Sequence, residues 1–330
     1  MLGLATAIAL AAAVPSTTYG DRLGSHSMLY LNSTPAQQEA LFRATSEAGL
    51  RYLRMDFAIG LVFRWDGTDF SAVERIDDLA ARYRVRVLGV ITETPWYISG
   101  CPDVPSHLVG RCAPAPGHEA TWRDMVTQVV RRAPHVRHWE LGNEPDDPRT
   151  FIGSPSDYVR WASLAADGIR AARPDARIAI GGFVRLDRRF VEPLLGRFDI
   201  ANVHLRGSLR GLRGMAARAR AFYRRLGFDG RLWVTESGYP SLPAHQWDPA
   251  MRRGDADQAR WMLNGPRRLI AGGADAVFVA FRDSPEFGPG SPYASEGVVS
   301  WPQLADGGRA LVKPAYWSLL LMAAMPLPAP

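Results

Sequence analysis

Short runs of β-branched and apolar residues alternate with longer amphipathic stretches along nearly the whole chain, and no other feature constrains the fold as tightly. The runs predict strands at Ser27–Asn32, Leu50–Phe57, Val85–Thr92, Val136–Asn143, Ala176–Phe183, Ile200–Leu205, Leu232–Glu236 and Ala276–Phe281. Between them, helical patterns fall at Ala36–Ala48, Ser71–Tyr83, Ala120–Arg132, Ser156–Ala172, Leu209–Leu226 and Ala256–Ala271. A shorter helix is expected at Arg188–Gly196 and a last one at Pro314–Ala324. Start signals recur where they should, as in Ser154-Pro155-Ser156-Asp157, an N-cap serine followed by proline and an acid three residues on. Eight β units, each followed by an α unit, predict the α/β class and a closed (β/α)8 TIM barrel. The rival is a doubly wound open sheet. It would want a Gly-rich turn after its first strand, where this chain has NSTPAQQ. With no linker and no internal repeat, the 330 residues are expected to form one barrel domain from residue 21 onward.

The apolar run MLGLATAIALAAAV has the length of a signal-peptide core and is too short to span a bilayer, so residues 1–20 are expected to be an export segment. A positive n-region and an A-x-A site are missing, and a hydrophobic N-terminus of another kind fits as well. Cys101 and Cys112 bracket the loop CPDVPSHLVGRC. Closing it with a disulfide would stabilise by roughly 2–3 kcal/mol and would agree with a secreted or periplasmic location; two free thiols are the other reading. Two cysteines supply only half of a structural zinc site. The formal charge is +6, but 38 of the 39 basic residues are arginine and Lys313 is the one lysine. Such a bias fits coding preference better than a nucleic-acid surface, and no nucleic-acid motif accompanies it. The final apolar helix is too short for an integral membrane span.

Catalytic groups of a barrel sit where strands meet the loops that follow them. Two such junctions carry carboxylates: the fourth strand ends HWELGNEPDD, presenting Asn143 and Glu144, and the seventh reads RLWVTESGYPS, presenting Glu236. A carboxylate at the end of an apolar strand is costly to bury unless it is paired. Two of them, from strands on opposite sides of a barrel, can face each other across a pocket. Cleavage of a glycosidic bond needs that pairing, with one carboxylic acid to protonate the leaving oxygen and one carboxylate to attack the anomeric carbon. Strict strand alternation would send Asn143 and Glu144 to opposite faces, so both reach a sugar only if the strand ends or bulges there.

Asn143-Glu144-Pro145 and Thr235-Glu236-Ser237-Gly238 resemble the signatures of the clan A glycoside hydrolases, retaining enzymes built on (β/α)8 barrels. WELGNEPD is most similar to the acid/base segment of family 39 and has some likeness to the heparanase family, while VTESGYPS resembles the nucleophile segment of family 17. The resemblance implies an O-glycosidase that works by double displacement, with Glu144 as acid/base, Glu236 as nucleophile and Asn143 on the sugar 2-hydroxyl. It implies that Arg54 hydrogen-bonds the nucleophile and keeps it ionised, that Glu144 has a raised pKa, and that the carboxyl groups stand about 5–5.5 Å apart. No metal and no organic cofactor are expected.

Other residues are placed by the same strand-end logic. His204 ends the sixth strand, where the clan often has a His or Tyr near the nucleophile. Trp96 and Tyr97 follow the third strand and could stack on sugar rings or pack under the cysteine loop, and Phe281 stands where many clan members have a tryptophan beneath the sugar. Glu140 shares strand parity with Glu144 and is expected deeper in the barrel; Trp139 and Trp233 are expected to pack. Arg185, Arg206 and Arg282 follow strands five, six and eight, which suggests an anionic sugar, although an arginine-biased chain would place arginine there anyway. The expectation is a monomeric, secreted hydrolase acting on an oligo- or polysaccharide. A transglycosylase with the same two carboxylates and a non-catalytic carbohydrate-binding barrel are the alternatives, and the His-x-His ligands of a metal-dependent barrel hydrolase are not evident.

Overall fold

The computed structural model describes residues 17–27, 31–101, 103–242, 254–288, 290–300 and 311–328. The apolar run of the expected export segment lies outside them. Eight parallel strands close into a barrel: β1 (Leu23–His26), β2 (Tyr52–Ala58), β3 (Arg86–Thr92), β4 (His138–Asn143), β5 (Arg177–Gly182), β6 (Ile200–His204), β7 (Arg231–Ser237) and β8 (Ala276–Ala280). They are hydrogen-bonded in the order β1-β8-β7-β6-β5-β4-β3-β2, with β2 returning to β1. The helices that cross between them are α1 (Pro35–Glu47), α2 (Ser71–Tyr83), α3 (Glu119–Arg132), α4 (Pro155–Ala172), α5 (Arg188–Val191), α6 (Leu209–Arg225) and α7 (Asp255–Ala271), and α8 (Pro314–Ala324) follows β8.

Local chemistry explains where the helices start. Thr34 and Ser154 cap α1 and α4, each accepting from the backbone N–H three residues on, with Pro35 and Pro155 at the first helical position. Helix α2 buries Val73, Ile76, Leu79 and Ala80, one stripe at helical spacing, against the barrel wall.

Seven strands lie within about two residues of where the sequence places them, but the first does not. Of the expected strand Ser27–Asn32, residues 28–30 lie outside the described residues, and the strand that pairs in the barrel is Leu23–His26. Its position is decided inside the barrel. Gly24 pairs in register with Phe278, and a Cβ on Gly24 would lie 2.4 Å from the Phe278 ring. Phe278 fills the barrel floor with Tyr52, Leu88, Ala179, Ile200, Trp233 and Ala276. Only a glycine lets β1 pass over that ring. The folded body also begins earlier than residue 21. The Tyr19 N–H donates to the Met325 carbonyl and the Leu327 N–H to the Thr17 carbonyl, tying residues 17–20 to the segment after α8.

Strand alternation sorts the two faces of the barrel wall. On β2, Leu53, Met55 and Phe57 point outward into the apolar layer beneath the helices, while Tyr52, Arg54 and Asp56 point inward. The floor is aromatic: Tyr52, Trp233 and Phe278 pack with ring centroids 5.1–5.7 Å apart. Above it the inward residues become polar, and the site begins there. Trp139 packs outside the barrel against Phe57, so both expected packing tryptophans do pack. Cys101 and Cys112 form the disulfide, closing the loop after β3. Among the described residues no helix is long and apolar enough to cross a membrane.

Gly24→Ala is expected to lower stability by about 1–3 kcal/mol by overpacking the floor, read as a lower urea midpoint. An unchanged midpoint would mean that β1 does not run beside Phe278.

Candidate active site

The two candidate glutamates reach the barrel mouth because the backbone breaks alternation at both strand ends. On β4, Gly142 and Glu144 take left-handed φ values of 85° and 43°. This turns Asn143 and Glu144 to the same pocket. A left-handed backbone is uncommon for a residue with a side chain and is held only where its surroundings over-determine it; here the Glu144 N–H donates to the Gly182 carbonyl and the Thr150 hydroxyl donates to the Glu144 carbonyl. On β7 the pairing slips by one residue against both neighbours just after Val234, a bulge that lets Thr235 and Glu236 both face inward.

Arg54 is the centre of the array. Its Nε and Nη2 donate to both oxygens of Glu140 at 2.9 and 2.8 Å, Nη2 also to Asn143 Oδ1 at 2.7 Å, and Nη1 to Glu236 Oε1 at 2.8 Å. The other oxygen of Glu236 accepts from Arg206 Nη2 at 2.7 Å. Burial by itself would push the Glu236 carboxyl up, but His204, Arg54 and Arg206 outweigh it and hold the group well below the usual carboxylate range. His26 stands near the same carboxylate, and burial lowers its pKa to about 3. Glu140, fully buried and bonded to Arg54 and to the Gly182 N–H (3.2 Å), is the deeper group its strand parity suggested.

His204 joins the second glutamate to a different network. Its Nδ1 lies 2.8 Å from Glu144 Oε1 and 3.7 Å from Glu236 Oε2, and its Nε2 lies 3.2 Å from Thr235 Oγ1. Asn202 Nδ2 donates to the Ile180 carbonyl at 3.2 Å, which orients the amide oxygen to accept from the Thr235 hydroxyl at 2.8 Å. The Thr235 oxygen is then the acceptor and His204 Nε2 carries a hydrogen. Nδ1 is the ring nitrogen left to face Glu144.

Of these groups, Asn143 and Glu144 line a cavity of about 390 Å³ together with Asp56, Glu93, Arg111, Arg149, Phe287 and Tyr293 among others, while Glu236, His204, Arg54 and Arg206 lie outside its lining. Two of its acids were not singled out in the sequence. Asp56 sits one inward step above Arg54, and burial, opposed by Arg54 and assisted by Glu236, Glu140 and Glu93, pushes it up to about 7. Glu93 follows β3 with φ 56°, the same left-handed break as Glu144, and burial raises its pKa.

Several expected binding residues lie elsewhere. Phe281 is fully buried and packs on Tyr316 of α8, so it offers no face to a sugar. Inward positions on β8 are Phe278 and Ala280, which sends Phe281 outward. Arg282 is buried and paired with Glu286. Arg206 is held by Glu236 and Glu296, and Arg185 is exposed. The three strand-end arginines do not converge on one carboxylate site. Trp96 and Tyr97 are 61% and 36% exposed, packed edge to face on each other, outside the residues that line the cavity.

Glu144, His204 and Glu236 bring potential ligand atoms within 4.8 Å of one another. A cation there would compete with the guanidinium on each Glu236 oxygen and meet the repulsion of Arg54 and Arg206. The donor set fits a hydrogen-bonded array better than a metal centre.

No family model and no curated protein matches the chain. Solved structures match its fold. A family 39 glycoside hydrolase from the gut symbiont Bacteroides cellulosilyticus WH2 superimposes with a TM-score of 0.64 at 16% identity, covering 94% of this chain and 65% of that one. A glucosidase from Croceicoccus marinus gives 0.66 at 16% identity, covering 86% and 63%. A GH30 endoxylanase from Clostridium papyrosolvens C71 gives 0.62 at 14% identity, covering 94% and 73%. The chain thus shares the (β/α)8 fold of these proteins and spans less than two thirds of the first two.

Because Asp56 titrates near 7 in the folded chain and near 3.8 when unfolded, the folded state keeps a proton that the unfolded state releases between those values. The resulting stabilisation is full below about pH 4 and is lost as pH rises towards 7. Asp56→Asn should therefore gain stability relative to the wild type as pH goes from 4 to 8, measured by chemical unfolding at several pH values. A difference that does not change with pH would show that the carboxyl is not held protonated.

Proposed function

We propose that the chain is a retaining glycoside hydrolase in which Glu236 is the nucleophile and Glu144 the acid/base. The observation that carries this reading is the contrast between two facing carboxyl groups. An oxygen of each lies within 4.8 Å of an oxygen of the other, on the scale of retaining enzymes, about 5–5.5 Å, and short of the roughly 6.5–9.5 Å that leaves room for an inverting water. One of the pair is kept ionised by two guanidinium groups, and the other faces a histidine ring nitrogen.

The chemistry follows from that difference. Glu236 attacks the anomeric carbon as Glu144 passes its proton to the departing glycosidic oxygen, giving a covalent glycosyl ester. Glu144, now a carboxylate, accepts a proton from water as that water attacks the ester, and the anomeric configuration is retained. Asn143, held by Arg54 through its side-chain oxygen, is left with its amide N–H groups to offer a sugar hydroxyl. Asp56, Glu93 and Glu144 line the cavity against Arg111 and Arg149, and Arg149 is paired with Asp147. The disulfide supports an oxidising compartment, and hence export.

Glu144→Gln is expected to lose about 10²–10⁴-fold in kcat on a natural glycan, and Glu236→Gln at least as much, with thermal unfolding showing both variants folded. Digestion of a panel of neutral and uronate-containing glycans, with NMR of the first-formed anomer, tests substrate and stereochemistry together. Near-normal turnover in either variant would remove that residue from its role, and an inverted product would overturn the double displacement.

A further inference from the structure

Glu296 is only 2% exposed, lies on the loop after β8 and has no part in the chemistry described so far. Its carboxylate meets Arg206, with Nε to Oε2 at 3.2 Å and Nη2 to Oε1 at 3.3 Å. Gly238 makes room for it, since a Cβ there would lie 2.5 Å from Glu296 Oε2. Tyr293, from the same loop, lies under the Arg206 guanidinium at 5.3 Å. Arg206 is thus clamped by one loop on one side while its Nη2 bonds Glu236 at 2.7 Å on the other.

The arrangement mirrors the opposite side of the site. Arg54 holds Glu236 by one nitrogen and has Glu140 as a bidentate partner of its own; Arg206 holds Glu236 by one nitrogen and has Glu296. The two arginines share one carboxylate, and each keeps a second. We propose that Glu296 is a positioning residue for the nucleophile, which aims Arg206 at Glu236 and supplies that arginine's counter-charge once Glu236 has become a neutral ester. The inference rests on Glu236 being the nucleophile. When a Glu236 oxygen bonds the anomeric carbon, the glycosidic C–O bond breaks and the leaving oxygen takes the proton of Glu144, so the negative charge on Glu236 disappears. Two buried guanidinium groups then lose a shared partner. A buried charge left without compensation is strongly destabilising, and Glu140 and Glu296 are placed to prevent it.

A thermal-unfolding cycle at neutral pH reads this without any substrate, because Glu236→Gln gives the nucleophile position the neutral charge it has in the ester. E296Q and E236Q alone each leave Arg206 one carboxylate, whereas E236Q/E296Q leaves it neither. The double variant should lose roughly 5 °C or more beyond the sum of the singles, and E236Q/E296D should recover most of that excess. Should the double variant not fold, E236Q/E296D is expected to show a smaller excess loss of the same sign. Additive losses would overturn the proposal. In the activity arm, with an activated aryl glycoside, E296Q should lower kcat about tenfold or more while KM stays within about twofold, and E296D should restore much of it. An unchanged kcat in E296Q overturns the proposal. A wild-type chain inactive on every glycoside overturns the glycosidase reading instead, and the unfolding cycle still decides whether Arg206 is shared.

Discussion

The contact between Arg54 and three acceptors from two other strands is the constraint on which the barrel interior depends. A guanidinium this deep requires Glu140, Asn143 and Glu236 together, so β2, β4 and β7 must bring their inward side chains to one level. Desolvating such a set of charges costs several kcal/mol per ion before their attraction is counted, and an apolar filling would serve stability as well or better. The chain has that apolar filling one layer below, where Tyr52, Trp233 and Phe278 close the floor. The change from aromatic to ionic within one turn of side chains along β2, from Tyr52 to Arg54, marks where packing stops and chemistry begins.

The backbone meets the same demand. A regular strand offers the pocket every second residue, and the site needs neighbours: Asn143 beside Glu144, Thr235 beside Glu236. Both strands break their period to supply them, β4 through left-handed Gly142 and Glu144 and β7 through a bulge. The glycine carries this conformation without strain, whereas Glu144 is held in it by the Gly182 carbonyl and the Thr150 hydroxyl.

Strand order, helix positions and the two facing glutamates were legible in the sequence because each leaves a periodic or positional mark. What was missed divides by cause. Asp56 follows Arg54 by one inward step, and Glu93 is a strand-end carboxylate like Glu144, so the rules already in use would have found both. The same parity rule excludes Phe281, odd to the inward Phe278 and Ala280, from the pocket. The first strand was misplaced for a different reason: Leu23-Gly24-Ser25-His26 has poor strand character, and its register is set by the ring of Phe278, a contact about 250 residues away in the chain that no local pattern records. Glu296 had no signal at all, since it comes from an irregular loop and gains meaning only from Arg206.

The two carboxyl groups also show how one barrel can give a pair of like residues different surroundings. Both are glutamates, both are buried, and an oxygen of each lies within 4.8 Å of the other. Proximity by itself would make them compete for one proton without deciding which holds it. Arg54 and Arg206 both bond Glu236 and help to hold its pKa well below the usual carboxylate range. On the other side, a fixed order of donors runs from the Asn202 amide through the Thr235 hydroxyl to His204 Nε2, which leaves Nδ1 to face Glu144. The two carboxyl groups are therefore set apart by four hydrogen bonds and two ion pairs, and Thr235, adjacent in sequence to Glu236, is the residue through which the Glu236 strand reaches His204 and so Glu144.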